Sequence, residues 1–424
     1  MKLEDYRPMM ERCSNCLGCK WIPFDKVKDA RFGENCPAVC YYNFNTYSAK
    51  GRFQMAQSIL DGRTDYTDKV TEVIHACLAC GACDASCKIC RYNLEPLEHN
   101  LALKNRAVSE GHKLPGQEEL IGQLKNEHNM INGAAKKDRM SWAEGLGLVD
   151  EFKEQADVVV FAGCKYSYDE RLQKQLKKGI EVLQKAGLVV GTLGSADNCC
   201  GSRAYQMGFE DEFKEAAQRN IAAFEKAGVK QIVTFCADCY YAFKRLYKAL
   251  GSNVECLHIT EYLAELIAEG KLEFHTAVNK KVTYHDPCHL GRLGETYEPW
   301  DGREKKIYNQ IQIWEPRRPR YNGIHGVYDA PRKILQSIPG IELIEMDRIR
   351  EYSWCCGAGG GCNETLEDFS GWTASERMTE ALFTGAEALV TTCPWCNDNL
   401  TSAKGEDGKS MEVTDLLELV AAAL

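Results

Sequence analysis

The chain has 424 residues, enough for about two or three domains, and its net charge of −9 with no basic block argues against nucleic acid as the main partner. Hydrophobic residues make up 44% and charged residues 27% of the sequence, as is ordinary for a soluble globular protein. The first residues, MKLEDYRPMMERC, lack the apolar run of an export signal, and the most apolar stretches are too short to cross a bilayer. We therefore expect a cytoplasmic protein with no direct membrane span.

Cysteine is the unusual feature of the composition, with 22 residues. A secreted disulfide scaffold is normally short, whereas this chain is long and well supplied with core residues. Because thiols stay reduced in the cytoplasm, clustered cysteines in such a chain are interpreted as metal ligands.

The first third of the chain contains two cysteine triplets at two-residue spacing, and a further cysteine follows the second triplet. The seven residues are Cys13, Cys16, Cys19, Cys77, Cys80, Cys83 and Cys87. The second run reads C-x2-C-x2-C-x3-C, the spacing that wraps three corners of a [4Fe–4S] cube. Structural zinc is the alternative, but zinc usually takes two pairs of cysteines rather than triplets. We predict two cubane [4Fe–4S] clusters in an α-helical, ferredoxin-like domain at residues 1–105.

The fourth ligand of each cube follows from a rule of two-cluster ferredoxins, in which the last cysteine of one motif ligates the other cluster. Cys87 would then complete the cube of the first triplet. Cys36, which precedes a proline as in the bacterial motif, would complete the cube of the second. Cys36 lies 17 positions after Cys19, a longer interval than the bacterial motif has. Cys40 therefore stays open as the alternative to Cys36, and Cys90 as the alternative to Cys87.

Two similar units follow the first third. Residues 106–155 are polar and helix-prone and predict a helical connector. Beyond them, apolar strand-like runs alternate with amphipathic helical stretches, which indicates an α/β layer on a parallel sheet. We predict an α/β fold with two repeated Rossmann-like units, at residues 156–280 and 281–424.

The cysteine spacing supports the repeat and indicates an insertion. The single cysteine and the doublet are 35 positions apart in the first unit and 67 in the second. The doublet and the C-x2-C pair are 36 positions apart in the first unit and 37 in the second. The segment near 293–323 has no counterpart in the first unit and accounts for the difference.

Each unit has the pattern C…CC…C-x2-C. Adjacent cysteines such as Cys199 and Cys200 form a disulfide only with strain, so the doublets are interpreted as paired ligands. All the cysteines follow predicted strands or begin predicted helices, where parallel α/β sheets gather ligands. Four thiolates suffice for one cube, so five indicate a larger or less regular cluster.

The doublets in SADNCCGSRAYQMG and SWCCGAGGGC, together with YHDPCHLGR and GVYDAPR, resemble the catalytic subunit of heterodisulfide reductase. The two-cluster domain fused in front of them resembles its D type, and the resemblance covers essentially the whole chain. It implies a non-cubane [4Fe–4S] cluster in each of the two repeated units, which we call CCG units after the doublet and the glycine that follows it. The ligands implied for the first cluster are Cys164, Cys199, Cys200, Cys236 and Cys239, and those for the second are Cys288, Cys355, Cys356, Cys393 and Cys396.

The resemblance also implies an oxidoreductase subunit that passes electrons through the two cubane clusters to the CCG units, where a disulfide or related acceptor is reduced. We expect the second ligand set to act at the catalytic site, with His289 as a candidate proton donor. No flavin or nicotinamide site is recognised, so electrons must come from a flavin or iron–sulfur subunit of a multisubunit complex. The alternative is a non-catalytic relay in a larger anaerobic complex, for example of the class II benzoyl-CoA reductase type.

Overall fold

A computed structural model describes residues 2–90, 93–298, 300–308 and 311–424. The chain is a mixed α/β protein in which a helical N-terminal part precedes two parallel-sheet units. The N-terminal α-helices are α1 (Arg7–Arg12), α2 (Pro37–Tyr42), α3 (Ala49–Leu60), α4 (Asp68–His75), α5 (Ala82–Cys87), α6 (Pro96–Ser109) and α7 (Gln117–Glu127). Phe53, Ile74 and Leu103 from α3, α4 and α6 form one small core. Helix α6 runs across position 105, where the sequence placed the end of the first domain.

The first unit is built on a five-stranded parallel sheet with the order β1-β3-β2-β4-β5. Strand β1 is an edge strand from the segment that the sequence predicted as a helical connector. The strands are β1 (Val149–Asp150), β2 (Val158–Phe161), β3 (Val190–Thr192), β4 (Gln231–Thr234) and β5 (Glu255–His258). The α-helices are α8 (Cys164–Tyr168), α9 (Glu170–Lys185), α10 (Ser202–Met207), α11 (Glu210–Ala227), α12 (Ala237–Tyr241), α13 (Tyr247–Ala249) and α14 (Ile259–Ala268), with a π-helical turn, Ala242–Leu246, between α12 and α13.

The second unit repeats this plan on a four-stranded parallel sheet with the order β9-β6-β10-β11. An antiparallel hairpin, β7–β8, lies within the segment predicted as an insertion. The strands are β6 (Lys280–Tyr284), β7 (Arg303–Ile307), β8 (Ile311–Glu315), β9 (Ile341–Leu343), β10 (Ala388–Thr391) and β11 (Glu412–Asp415). The α-helices are α15 (Asp329–Ser337), α16 (Cys362–Thr365), α17 (Glu367–Phe383), α18 (Pro394–Thr401) and α19 (Leu416–Ala423). The predicted α/β class with a duplicated unit is confirmed, because corresponding strands have the same order in both sheets.

The helices begin and pack as their sequences indicate. The Asp169 carboxylate accepts hydrogen bonds from the first backbone N–H groups of α9, and the helix buries an apolar stripe that includes Leu172, Leu176 and Ile180. Helices α14 and α19, which occupy equivalent places in the two units, both start with a capping box.

The two units pack against each other through equivalent helices. Helix α9 of the first unit contacts α19 of the second, and α15 of the second contacts α14 of the first. Since α9 and α15 correspond, as do α14 and α19, the contact is the self-complementary kind that a two-fold axis produces. The apolar faces of all four helices belong to one core. Among the described residues, no helix combines the length and apolar character needed to cross a membrane.

Candidate functional site

Four cysteines of the N-terminal part line one cavity, which we call the outer site. They are Cys13, Cys16, Cys19 and Cys87. Cys87 is the last residue of α5, whereas the other three come from the loop after α1. Cys16 is exposed, and its Sγ accepts a hydrogen bond from the backbone N–H of Gly18 at 3.4 Å. The outer site thus has a cysteine that is open to solvent, unlike the three other groups of cysteines described below.

A second cavity, the inner site, also borders α5. Its cysteines are Cys36, Cys77, Cys80 and Cys83. Cys83 and Cys87 are one turn apart on α5, so this helix contributes one thiol to each cavity. The structure therefore brings together the two crossed groups that the ferredoxin rule selects. The alternatives, Cys40 and Cys90, line neither cavity, and the Cys40 thiol donates instead to Glu34 Oε2 at 3.0 Å.

The five cysteines predicted for the first unit are all buried and lie together at the carboxyl end of its sheet; we call them the first-unit site. Cys164 begins α8 after β2, the doublet follows β3, and Cys236 and Cys239 lie at the start of α12 after β4. The Cys239 thiol donates to Cys200 Sγ at 3.3 Å. A Cβ on Gly163, whose φ is +79°, would approach Cys239 Sγ to 2.9 Å, so this position requires glycine.

The second-unit site repeats this arrangement at the end of the second sheet. Cys288, Cys356, Cys393 and Cys396 line a cavity there, and the Cys355 thiol contacts Cys288 and Cys356. His285 lies beside them, with ligand atoms of His285, Cys356 and Cys396 all within 4.8 Å of one another. The cavity is also lined by His289, Asp238 and Trp395.

Two thiol contacts join these sites into a series. Cys80 of the inner site packs against Cys355 of the second-unit site. Cys393 of the second-unit site packs against Cys236 of the first-unit site. Cys236 and Cys393 are equivalent residues, as expected if the pseudo-two-fold axis passes between them.

His289 is held at both ring nitrogens. Its Nδ1 contacts a carboxylate oxygen of Asp238, and its Nε2 lies 3.3 Å from the Ala79 carbonyl oxygen. Burial alone would lower the pKa of His289, but the neighbouring Asp238 carboxylate raises it to about 10. The ring stacks on Tyr241, with centroids 5.0 Å apart. His289 thus links the first unit, the second unit and the N-terminal part, and its proposed role in proton donation stays a prediction.

Several residues at these sites were missed by the sequence reasoning. Arg139 is 1% exposed, and its guanidinium donates to Cys164 Sγ at 3.4 Å and to Asp197 at 2.7 Å. No motif marks it, because it comes from the polar connector. The sequence does contain a signal for Asp238 and Arg292 as site residues. Asp238 lies inside a C-x2-C pair, and Arg292 is the last residue of YHDPCHLGR.

The donor groups fit iron–sulfur clusters. Each site offers four or five sulfur atoms, all of them buried or half-buried except that of Cys16, and sulfur-only sets suit iron–sulfur clusters or zinc. Burial raises the pKa of the Cys36 thiol to about 12, whereas the contact with Cys355 lowers the pKa of the Cys80 thiol to about 6. Thiols with a raised pKa keep their protons until a metal binds. Binding of a metal displaces those protons and offsets the cost of the buried negative charge.

Comparison with known proteins gives a consistent result. Residues 158–244 and 318–401 each match the family described as CCG: Cysteine-rich domain. The chain is 33% identical to the D-type subunit of the dihydromethanophenazine:CoB–CoM heterodisulfide reductase of Methanosarcina mazei, over 98% of this chain and 94% of that protein. It is 32% identical to a probable iron-sulfur-binding oxidoreductase, FadF, of Bacillus subtilis, over 68% of this chain and 38% of that protein. A hypothetical protein from Helicobacter pylori has a similar fold, with a TM-score of 0.56 at 10% identity over 99% of this chain and 75% of that one.

The similarity to the Methanosarcina protein extends over nearly the full length of both chains, and the cysteine-rich domain is present twice. The resemblance inferred from the doublets and the YHDPCHLGR motif is therefore confirmed. The chain belongs to the family of D-type heterodisulfide reductase subunits and is an iron–sulfur protein of the oxidoreductase type.

Proposed function

We propose that the chain accepts electrons at the outer site and delivers them to the CCG units, where a disulfide or a related sulfur compound is reduced. Two cubane [4Fe–4S] clusters would be held at the outer and inner sites, and a non-cubane [4Fe–4S] cluster at each CCG site. When bound, these clusters supply one-electron chemistry, which side chains alone do not. The electrons would come from a flavin or iron–sulfur subunit of the same complex.

The observation that supports this proposal is the unbroken series of four cysteine groups. The outer and inner sites share helix α5, and the contacts Cys80–Cys355 and Cys236–Cys393 continue the series through both CCG units. The outer site includes the exposed Cys16, whereas every cysteine of the other three sites is buried or half-buried. An electron donor can therefore approach the outer site most closely.

Residues around the second-unit cavity support this chemistry by excluding water and by holding a proton. Trp395, 6% exposed, and the buried Pro287 limit the access of water. His289 and Asp238 form a buried polar pair beside Cys288, the half-buried member of the second-unit group. This pair holds a proton close to the place where a reduced sulfur would need one.

Turnover of the full chain tests the proposal. Anaerobically purified protein, reduced by an artificial one-electron donor such as reduced methyl viologen, is expected to reduce an organic disulfide. The variant Cys396→Ala should abolish this turnover, because it removes a thiol of the second-unit site. The control, Cys256→Ala, changes a buried cysteine of β5 outside all four sites and should retain turnover. Turnover that survives Cys396→Ala would contradict the proposal.

The second candidate function is a relay that passes electrons to another subunit. The deep burial of the CCG thiols favours it, since nine of the ten are at most 7% exposed and leave little room for an organic substrate. Under this alternative the donor reduces all the clusters, yet no disulfide is turned over until the partner subunits are added back.

A further inference from the structure

Buried cations in this protein usually have a carboxylate partner. Nine lysine and arginine residues are buried among the described residues. Six of them form ion pairs, and these are Lys88, Arg139, Arg203, Arg332, Arg348 and Arg377. The other three, Arg52, Lys104 and Arg292, have no ion-pair partner among the residues that the structure describes. An uncompensated buried charge is costly, so its retention at three positions needs a reason.

All three unpaired cations contact the same short loop, residues 76–80, which carries two thiols of the inner site. Arg52 Nη2 donates to the Ala76 carbonyl oxygen at 2.6 Å. Lys104 Nζ donates to the Cys77 carbonyl oxygen at 2.7 Å, and Arg292 Nε donates to that of Cys80 at 2.9 Å. We call Arg52, Lys104 and Arg292 the cationic cradle.

The cradle comes from three separate parts of the chain. Arg52 lies on α3 and lines the inner-site cavity directly, Lys104 lies on α6, and Arg292 belongs to the second unit. Lys104 also donates to the Gln206 carbonyl oxygen of the first unit at 3.2 Å. The positive charges therefore meet at this loop only in the folded chain.

Arg292 has a further property that points to an anionic neighbour. Its Nη1 donates to the carbonyl oxygens of Ser353 and Glu351, but its buried Nη2 has no hydrogen-bond partner among the described residues. The thiols of Cys80, Cys288 and Cys355 lie within its electrostatic range. A buried donor without a partner is rare in native proteins, and here it lies between two groups of sulfur ligands.

The surroundings of the cationic cradle suit a negatively charged group. An iron–sulfur cluster with thiolate ligands is anionic and becomes more so on reduction, and burial makes that extra charge costly. We propose that the cationic cradle offsets this cost and raises the reduction potential of the cluster at the inner site. This inference rests on the proposed function, because it assumes a cluster at that site. If the cradle only held the loop in place, neutral donors to the same carbonyl oxygens would serve equally well.

A redox titration followed by electron paramagnetic resonance tests the proposal on the full chain. A Cys16→Ala background removes the outer cluster, so the cubane signal that remains belongs to the inner site. Lys104→Gln and Arg52→Gln each remove one charge and keep an amide donor. Each is expected to make reduction less favourable by about tenfold, which is about 59 mV for one electron. Arg292→Lys keeps the charge and should leave the midpoint near its original value, whereas Arg292→Gln should lower it.

The matched control is Arg106→Gln, which removes a half-buried cation, paired with Glu4 and Glu110, from the same helix as Lys104 and should leave the midpoint unchanged. The shift is judged in variants that retain their full iron content. An unchanged midpoint in both Lys104→Gln and Arg52→Gln would overturn the proposal and leave the cradle with a purely structural role. Absence of an inner-site signal in the unsubstituted chain would instead contradict the proposed function.

Discussion

At the scale of single residues, the cysteine doublets show why two adjacent thiols are useful. Within the first doublet Cys199 contacts Cys164, and Cys200 contacts Cys239. In the second doublet the equivalent contacts are Cys355 with Cys288 and Cys356 with Cys396. In both units the glycine after the doublet donates its backbone N–H to the first sulfur, at 3.3 and 3.4 Å. Each member of a doublet thus faces a different part of the same site.

We therefore expect that neither cysteine of a doublet is spare. Cys199→Ser and Cys200→Ser should each disturb the same cluster, because a hydroxyl ligates iron far less strongly than a thiolate does at neutral pH. Cys355→Ser and Cys356→Ser should do the same in the second unit. Iron content and the paramagnetic spectrum of each variant provide the measurement. One silent member in both doublets would favour an ordinary four-ligand cube in each unit.

At the scale of elements, the hairpin β7–β8 is the main difference between the two units. A two-stranded hairpin alone is marginally stable in water, and this one is anchored at its base by an ion pair of 3.1 Å between Glu304 and Arg12. Arg12 precedes Cys13, so the hairpin lies next to the outer site. Ile307, Ile311 and Ile313 share one face and are 40%, 57% and 36% exposed. An exposed apolar face of this kind is typical of a docking site for another protein.

We expect this hairpin to contact a partner subunit of the redox complex. Ile311→Ser together with Ile313→Ser should weaken copurification of the chain with its complex while leaving the iron content intact. Val189→Ser is the matched control, since Val189 is 45% exposed in the first unit and is not part of the hairpin. Assembly that is equally stable in both variants would indicate that the hairpin is only a solvated insertion.

At the scale of the whole molecule, the fold arranges four cysteine groups in a fixed order. The N-terminal part contacts the second unit through the thiol pair Cys80–Cys355, and the pseudo-two-fold axis brings Cys393 to Cys236 of the first unit. The second-unit site therefore lies between the inner site and the first-unit site. Under the proposed function, electrons that arrive at the outer site would cross the inner site before they reach either CCG unit.

This order predicts the effect of Cys80→Ala. The variant should lose one cubane cluster, about four irons, and keep the cluster at the outer site. Reduction of the CCG clusters by a protein donor should then become much slower, because the gap left in the series lengthens the electron path. Freeze-quenched paramagnetic spectra measure both effects. If the CCG clusters were reduced at the original rate, electrons would have to enter by another route.

The sequence by itself determined the features that depend on local spacing. Cysteine intervals identified the two triplets, the duplicated unit and the insertion, because ligands contributed by one loop must lie a few residues apart. Alternation of apolar runs and amphipathic stretches identified the α/β class, because strands and helices have different periods. The ferredoxin rule also selected Cys36 and Cys87, which line the same cavities as their predicted partners.

Only the tertiary structure decided how these parts lie relative to one another. The thiol pairs Cys80–Cys355 and Cys236–Cys393 join residues more than 150 positions apart, and no local pattern records such a contact. The same holds for Arg52, Lys104 and Arg292. Their charges are ordinary in the sequence and become unusual only in the folded chain, where the side chains are buried from water and have no carboxylate partner in the described part of the chain. Spacing can reveal which residues bind a group, whereas the environment that sets its potential depends on packing between distant segments.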